Sequence, residues 1–389
     1  MTRRTFLSGV ALTAAVGIPG LAFARTRQRG RGVDAIAPAE LAEMRALATT
    51  FMTNHNVPGL SMAIAKDGRL VFVEGLGLGN TEKKEPVTPA HLFRIASVSK
   101  PITSATIFAL VEAGRVRLTD RIFGADSLLG TDFGRPPFKP HVAELTVQHL
   151  LTHTAGGWQN DRTDPMFSNP RMDHRALISW TIQNLPLTNA PGTRYAYSNF
   201  GYCVLGRVIE KLTATPYAAS VQREVLSKCG VTAMRIAGNT LADRAPNEVV
   251  YYGQGPENPY GMQVARMDAH GGWLASPTDL VRFLVHVDGF PTSPDILQRS
   301  TIEAMTTASE ANAGYAKGWS VNRVNNWWHN GSLPGTSTLM VRTSGGFCWA
   351  ALANTRHPNS TMGADLDALM WNIVRKPTAW PAGDPISRR

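Results

Sequence analysis

The sequence predicts an α+β protein: an antiparallel sheet flanked by helices, with a mostly helical second subdomain beside it. Three observations predict it. A β-hairpin pattern lies near the N-terminus, strand-like segments return in the last third, and residues from about 115 to 265 between them read as helices and long loops. Blocks of one element type, rather than a regular strand–helix alternation, mark this class. The N-terminal hairpin is expected to join the C-terminal strands in one sheet, with the site in the cleft between sheet and helical insert.

PAELAEMRALATTFMTNH carries apolar residues at helical spacing, and Asn56, Pro58 and Gly59 end it. LSMAIAKDGRLVFVEG alternates on both sides of Asp67-Gly68, a strong two-residue hairpin signal. SVSKPITSATIFALVEAGR reads as a helix starting at about Ser97 and stopping at Gly114, with Pro101 tolerated in its first turn. TVQHLLTH, HRALISWTIQN, FGYCVLGRVIEKLT and AASVQREVLSK supply the helices of the insert. In SPTDLVRFLVHV, Ser276 and Asp279 have the spacing of a helix cap. GWSVNRV, NWWHNG, TSTLMVRT and GFCWAALAN read as strands, and DALMWNIVR closes the fold as a helix.

The 389 residues, 43% hydrophobic and 17% charged, supply an ample core. The net charge of +10 does not indicate nucleic-acid binding, because it sits at the ends. Residues 1–32 hold Arg3, Arg4, Arg25, Arg27, Arg29 and Arg31 and no acid; without these and Arg388 and Arg389 the charge is +2. TRRTFL precedes a moderately apolar stretch that ends in Ala22-Phe23-Ala24, the pattern of a twin-arginine export signal with a cleavage site. The expected organisation is therefore a signal peptide at 1–24, a basic linker at 25–37, one main folded domain at 38–380 and a tail at 381–389. The mature protein is expected to be periplasmic or secreted, with no stable membrane span after cleavage. Cys203, Cys229 and Cys348 are an odd number without a C-x-x-C, and buried thiols are the expectation.

Ser97 and Lys100 lie about one turn apart at a helix N-terminus. A serine hydroxyl attacks only when something takes its proton. A nearby ammonium favours the alkoxide, or a desolvated lysine accepts the proton itself. The helix start adds free N–H groups where an oxyanion develops. In PGTRYAYSNFGY, Tyr197 beside a lysine is expected to have a lowered pKa and serve as base, while Asn199 can bond Lys100 and donate to a substrate carbonyl. In NWWHNGSLPGT, Gly331 is expected to let backbone approach the substrate, and the Ser332 N–H to complete an oxyanion hole with that of Ser97.

Together these elements, with the flanks LFRIASVSK, LTVQHLLTHTAGG, YAYSNFGY and GGWLASPTDLVRF, resemble the serine β-lactamase and penicillin-binding-protein family, in particular its class C-like branch. The family's order of S-x-x-K, Y-x-N and K-x-G or H-x-G is repeated here between about residues 40 and 375. The resemblance implies a β-lactamase/transpeptidase-like fold and acyl transfer with no metal or organic cofactor. Ser97 would be acylated, Lys100 and Tyr197 would shuttle protons, Asn199 would orient the substrate, His329 would line the pocket wall, and the Ser97 and Ser332 amides would hold the oxyanion.

His329 departs from the lysine usual in the β-lactamases and cell-wall peptidases of this type. A histidine is mostly uncharged near neutral pH, which argues against efficient β-lactam hydrolysis. The resemblance then implies an exported serine hydrolase acting on a small-molecule or peptide substrate, as a carboxylesterase or a D-peptidase or D-aminopeptidase-like enzyme. A β-lactamase or D-alanyl-D-alanine carboxypeptidase is the alternative within the enzyme class, and a slowly acylated sensor the alternative outside it. The sequence leaves the oligomeric state open. Ser61, in a near match to G-x-S-x-G, reads as structural, as do GLGLGN and the His149–His153 pair, which has no further ligand beside it. Trp158 and the loop to Asn169 are expected to border the cleft.

Overall fold

A computed structural model of the chain describes residues 35–358 and 360–386. The expected signal peptide, the basic linker as far as residue 34, and Ser387 to Arg389 lie outside the described residues. Helix α1 (Pro38–Asn54) starts on a proline, whose fixed φ suits the first turn. Strands β1 (Gly59–Lys66) and β2 (Arg69–Asn80) form the expected hairpin. Asp67 (φ 49°) and Gly68 (φ 75°) both take the left-handed conformation that a two-residue turn of the favoured hand needs. Strand β3 (Glu85–Pro86) pairs with β2, and β4 (Phe93–Arg94) runs into helix α2 (Ser99–Glu112) through a single 3₁₀ turn, Ala96–Val98.

The insert holds α3 (Val147–Leu151), α4 (Pro165–Ser168), α5 (His174–Asn184), α6 (Asn199–Thr213), α7 (Tyr217–Val221) and the short strand β5 (Arg235–Ile236). After it come β6 (Trp273–Ala275), α8 (Pro277–Val285), α9 (Arg299–Thr306), β7 (Ser320–Val321), β8 (Trp327–Leu333), β9 (Thr336–Arg342), β10 (Phe347–Ala353), α10 (Met362–Val374) and β11 (Asp384–Pro385). Helix α8 carries the expected capping box: Ser276 Oγ accepts from Asp279 N at 3.1 Å, and Ser276 N donates to Asp279 Oδ2 at 3.0 Å.

The main sheet is antiparallel, in the order β11-β2-β1-β10-β9-β8-β7. Strand β1 joins the two ends of the sequence, pairing with β10 from Leu60↔Ala353 to Lys66↔Phe347. The sheet runs past the expected domain end at residue 380, because Asp384 and Pro385 pair with Leu70 and Arg69. A second small sheet, β4-β6-β5, was not legible in the sequence.

Both faces of the main sheet are covered. Leu60, Met62 and Ile64 pack with Met44 and Phe51 of α1 and with Leu366 and Met370 of α10. Ala63 and Ala65 face the other core, with Leu280, Phe283 and Leu284 of α8. The alternation along β1 is therefore one of size rather than polarity, and the strand is buried from Gly59 to Ala65. All three cysteines are buried. Among the described residues, no helix is long and apolar enough to cross a membrane.

Candidate active site

Every residue from His91 to Phe108 is buried except Ser97, which is partly exposed. Such a segment needs its backbone groups satisfied from several directions. Ile95 N donates to Trp273 O at 2.9 Å. Two threonines of β9 hold the carbonyls before the serine: Thr336 Oγ1 donates to Arg94 O and Thr338 Oγ1 to Ile95 O, both at 2.9 Å. The buried Arg94 side chain anchors β4 by donating to Pro259 O at 2.7 Å and Gly238 O at 3.0 Å. Ala96 then takes a left-handed φ of 49°, a strained conformation for alanine that lifts the next residue out of the strand direction.

Lys100 is fully buried, and its Nζ has three neighbours at hydrogen-bond distance: Ser97 Oγ at 3.0 Å, Asn199 Oδ1 at 2.8 Å and His270 O at 3.0 Å. It also lies 4.7 Å from the centre of the Tyr197 ring. Burial holds the amine well below the usual ammonium range, against the opposing pull of the Asp164 charge. In its neutral form, which burial favours, the amine has two N–H groups and one lone pair. Asn199 Oδ1 and His270 O can only accept, so both N–H groups go to them and the lone pair faces the Ser97 hydroxyl.

Tyr197 hydrogen-bonds Ser97, so the structure brings together Ser97, Lys100 and Tyr197. The expected lowering of the tyrosine pKa is reversed. Burial raises it, the Ser97 hydrogen bond only partly offsets this, and the phenol keeps its proton. The loop bearing Tyr197 is tied to the segment after α3: Ala196 N donates to His153 O, and Asn160 N to Tyr197 O, both at 2.7 Å. Ser198 caps α6 by accepting from Gly201 N at 3.0 Å, which leaves Asn199 to project from the first helical position.

Asn199 bonds Lys100 as expected, but it is not free to donate to a substrate. Its amide nitrogen already donates to Asn160 Oδ1 at 2.9 Å and Asp164 Oδ2 at 3.0 Å, and the residue is buried. Gly331 makes a close approach that the sequence did not show. A Cβ there would collide with the Ile95 carbonyl and Thr338 Oγ1, so the glycine lets β8 lie against the serine-bearing segment, while it also lines the neighbouring cavity.

His329 is nearly inaccessible at 3% exposure, and burial, reinforced by Lys100, pushes its imidazole down to about 3. Its tautomer is fixed by a hydrogen-bonded chain. Ser198 N donates to His153 Nδ1 at 3.1 Å, so His153 Nε2 carries the proton and donates to the Tyr315 hydroxyl at 3.1 Å. Tyr315 donates to His329 Nε2 at 3.2 Å, and His329 Nδ1 donates to Asn330 O at 2.7 Å.

Ser332 is exposed on the far side of Gly331, and its hydroxyl accepts from Arg356 Nη1 at 3.2 Å. Arg356 is itself paired with Glu257. A cavity of about 320 Å³ opens here, lined by Asn330, Ser332, Ser337, Arg356 and Met362 among others.

Sequence reasoning missed His153, Asn160, Asp164, His270 and Tyr315. Two signals were present: the THTAGG flank, read as a structural turn, and the loop to Asn169, which was expected at the cleft and holds Asn160 and Asp164. Trp158, expected at the cleft, instead packs edge-on against Phe200 in the core. His149 and His153 share no ligand: His149 Nδ1 accepts from Thr146 N at 3.2 Å. No cluster of metal-ligating side chains occurs among the described residues.

A family model described as Beta-lactamase matches residues 44–370. Penicillin-binding protein 4* of Bacillus subtilis (strain 168) is 25% identical over 334 residues, covering 77% of this chain and 68% of that protein. Esterase EstB of Burkholderia gladioli is 29% identical over 231 residues, covering 55% of this chain and 56% of the esterase. The chain thus spans little more than half of the esterase's length. The structure of D-amino acid amidase from Ochrobactrum anthropi SV3 with D-phenylalanine matches with a TM-score of 0.72 at 20% identity, covering 87% of this chain and 98% of that chain. That likeness is one of fold.

Proposed function

The chain belongs to the beta-lactamase family of serine hydrolases, and on that premise we propose that it cleaves esters or amides through an acyl-enzyme on Ser97, as a carboxylesterase or a D-peptidase or D-aminopeptidase-like enzyme. The observation that carries this reading is the placement of the Lys100 amine, buried and 3.0 Å from Ser97 Oγ, so that in its neutral form the lone pair faces that hydroxyl. Lys100 takes the hydroxyl proton as Ser97 Oγ bonds the carbonyl carbon. The oxyanion is held by the backbone N–H groups of Ser97 and Ser332. Leu333 and Thr336 close the β8–β9 hairpin as a bonded pair, so strand alternation leaves the Ser332 amide outside the ladder. When the C–O or C–N bond breaks, the proton passes from Lys100 through the Tyr197 hydroxyl to the leaving group. Water then attacks the acyl carbon by the same route in reverse.

The substrate reading rests on charge. Burial pushes Lys100 toward its neutral form and holds His329 neutral, and Arg356 is paired with Glu257. Among the described residues of the site, no exposed and unpaired cation stands ready for a β-lactam or C-terminal carboxylate, which favours uncharged acyl donors. The esterase among the relatives agrees with this. We further propose that the twin arginine and the Ala22-Phe23-Ala24 site direct export to the periplasm or beyond; fractionation and N-terminal sequencing of the mature chain test that step.

The activity test combines a fluorophosphonate probe with p-nitrophenyl esters, D-amino-acid amides and nitrocefin. The expected result is labelling at Ser97, turnover of ester or D-amide well above nitrocefin, and loss of both in Ser97→Ala. Folded wild-type protein that is neither labelled nor active overturns the reading. Stoichiometric labelling without turnover replaces it with the sensor.

A further inference from the structure

We propose that Asp164 is a positioning residue for acyl transfer: through Asn199 it fixes the direction of the Lys100 lone pair, and its charge helps set the pH range in which that amine accepts the Ser97 proton. The inference rests on the acyl-enzyme reading above and adds a residue outside the three sequence motifs.

The geometry is a three-link chain. Asp164 Oδ1 accepts from Met166 N at 2.9 Å, which holds the carboxyl at the start of α4. Its Oδ2 accepts from Asn199 Nδ2 at 3.0 Å, and Asn199 Oδ1 accepts from Lys100 Nζ at 2.8 Å. An ionised carboxylate can only accept, so the amide nitrogen must face Asp164 and the amide oxygen must face Lys100. A flipped amide would present N–H groups to Lys100, draw its lone pair and turn it away from Ser97. Asn160 Oδ1 supports the same orientation at 2.9 Å, but an amide can itself flip. Only the carboxylate makes the choice one-sided. Asp164 is completely buried, so it neither touches substrate nor activates water; it acts through Asn199.

The charges around this chain give the direction of the pH effect. Asp164 faces Lys100 on α2, Asp161 on its own loop, Arg266 on the segment before β6, Cys203 on α6 and Tyr197. Lys100 in turn faces His153, His270 and His329, whose imidazoles burial holds neutral. Burial lifts Asp164 to about 6, so it is ionised above that pH. Its negative charge favours the ammonium form of Lys100. Removing that charge makes the lysine harder to protonate and moves the acid limb of activity to lower pH.

The test is the pH profile of kcat/KM on a p-nitrophenyl ester for wild type, Asp164→Asn and Asp164→Glu, with fluorophosphonate labelling of each. For D164N the expected result is an acid limb displaced downward by about half a unit or more, and a plateau kcat roughly tenfold lower, with KM within about twofold. D164E keeps the charge and misplaces the carboxylate by one methylene, so its limb should stay in the wild-type position while kcat falls at least about fivefold. Should D164N not fold, D164E carries the test alone, and wild-type kcat in D164E overturns the inference. Active wild type, labelled at Ser97, with a D164N limb in the wild-type position overturns the role of Asp164 alone. Wild type that is neither labelled nor active overturns the acyl-enzyme reading, and this inference with it.

Discussion

The Tyr315 hydroxyl lies 3.2 Å from His329 Nε2 and supplies the proton that this ring nitrogen accepts. The same oxygen accepts from His153 Nε2 at 3.1 Å, so one phenol joins the segment after α3 to strand β8. Tyr315→Phe would leave a buried donor and a buried acceptor without partners. Each such orphan costs about 1–3 kcal/mol. The expected outcome for the two together is a stability loss of about 2–6 kcal/mol in urea unfolding, along with slower fluorophosphonate labelling. Unchanged stability would remove the bridging role.

Gly331 is the contact point between β8 and the segment that presents Ser97. In Gly331→Ala the new methyl meets the Ile95 carbonyl and Thr338 Oγ1, neither of which can swing aside, because the two are bonded to each other. The strand must back away and the two proposed oxyanion donors separate. Ester turnover is expected to fall about 100-fold, with a lower melting temperature. Wild-type turnover in this variant would show that the close approach does not matter.

Asp288 offers a stability test away from the site. It is 1% exposed and accepts from Phe290 N at 2.8 Å. Burial lifts its carboxyl to about 7; Asp295 pushes the same way, and Arg342 and the Cys348 thiol pull it back. The folded state therefore keeps a proton that the unfolded chain releases near pH 4. The associated stability is fully present below pH 4 and is lost as pH rises through 7. Asp288→Asn cannot titrate, so it should gain about 1–3 kcal/mol relative to wild type between pH 4.5 and pH 8. Parallel stability curves for the two proteins would refute the assignment.

What could be read from the sequence was what depends on neighbours in the chain. The Asp67-Gly68 turn, the Ser276 cap and the Ser97–Lys100 spacing are local features, and each is where its residues place it. The partners of Asn199 were hidden because Asn160 and Asp164 lie in an irregular loop with no period to mark it. The direction of the Tyr197 shift was misread because a nearby cation was weighed and burial was not. The contact of Gly331 with Ile95 was not legible because the two are remote in sequence. The even burial of β1 needed knowledge of both covering layers.

The seam between β1 and β10 also orders events during synthesis. Gly59–Lys66 emerges early from the ribosome, yet one of its two partner strands is Phe347–Ala353, almost the last part of the fold to be made. The threonines that grip the carbonyls ahead of Ser97 arrive just as late, on β9. A nascent or prematurely ended chain therefore carries the proposed nucleophile without the threonines that hold the carbonyls ahead of it, and leaves an open edge on β1. The topology thus completes the setting of Ser97 only when translation is nearly finished.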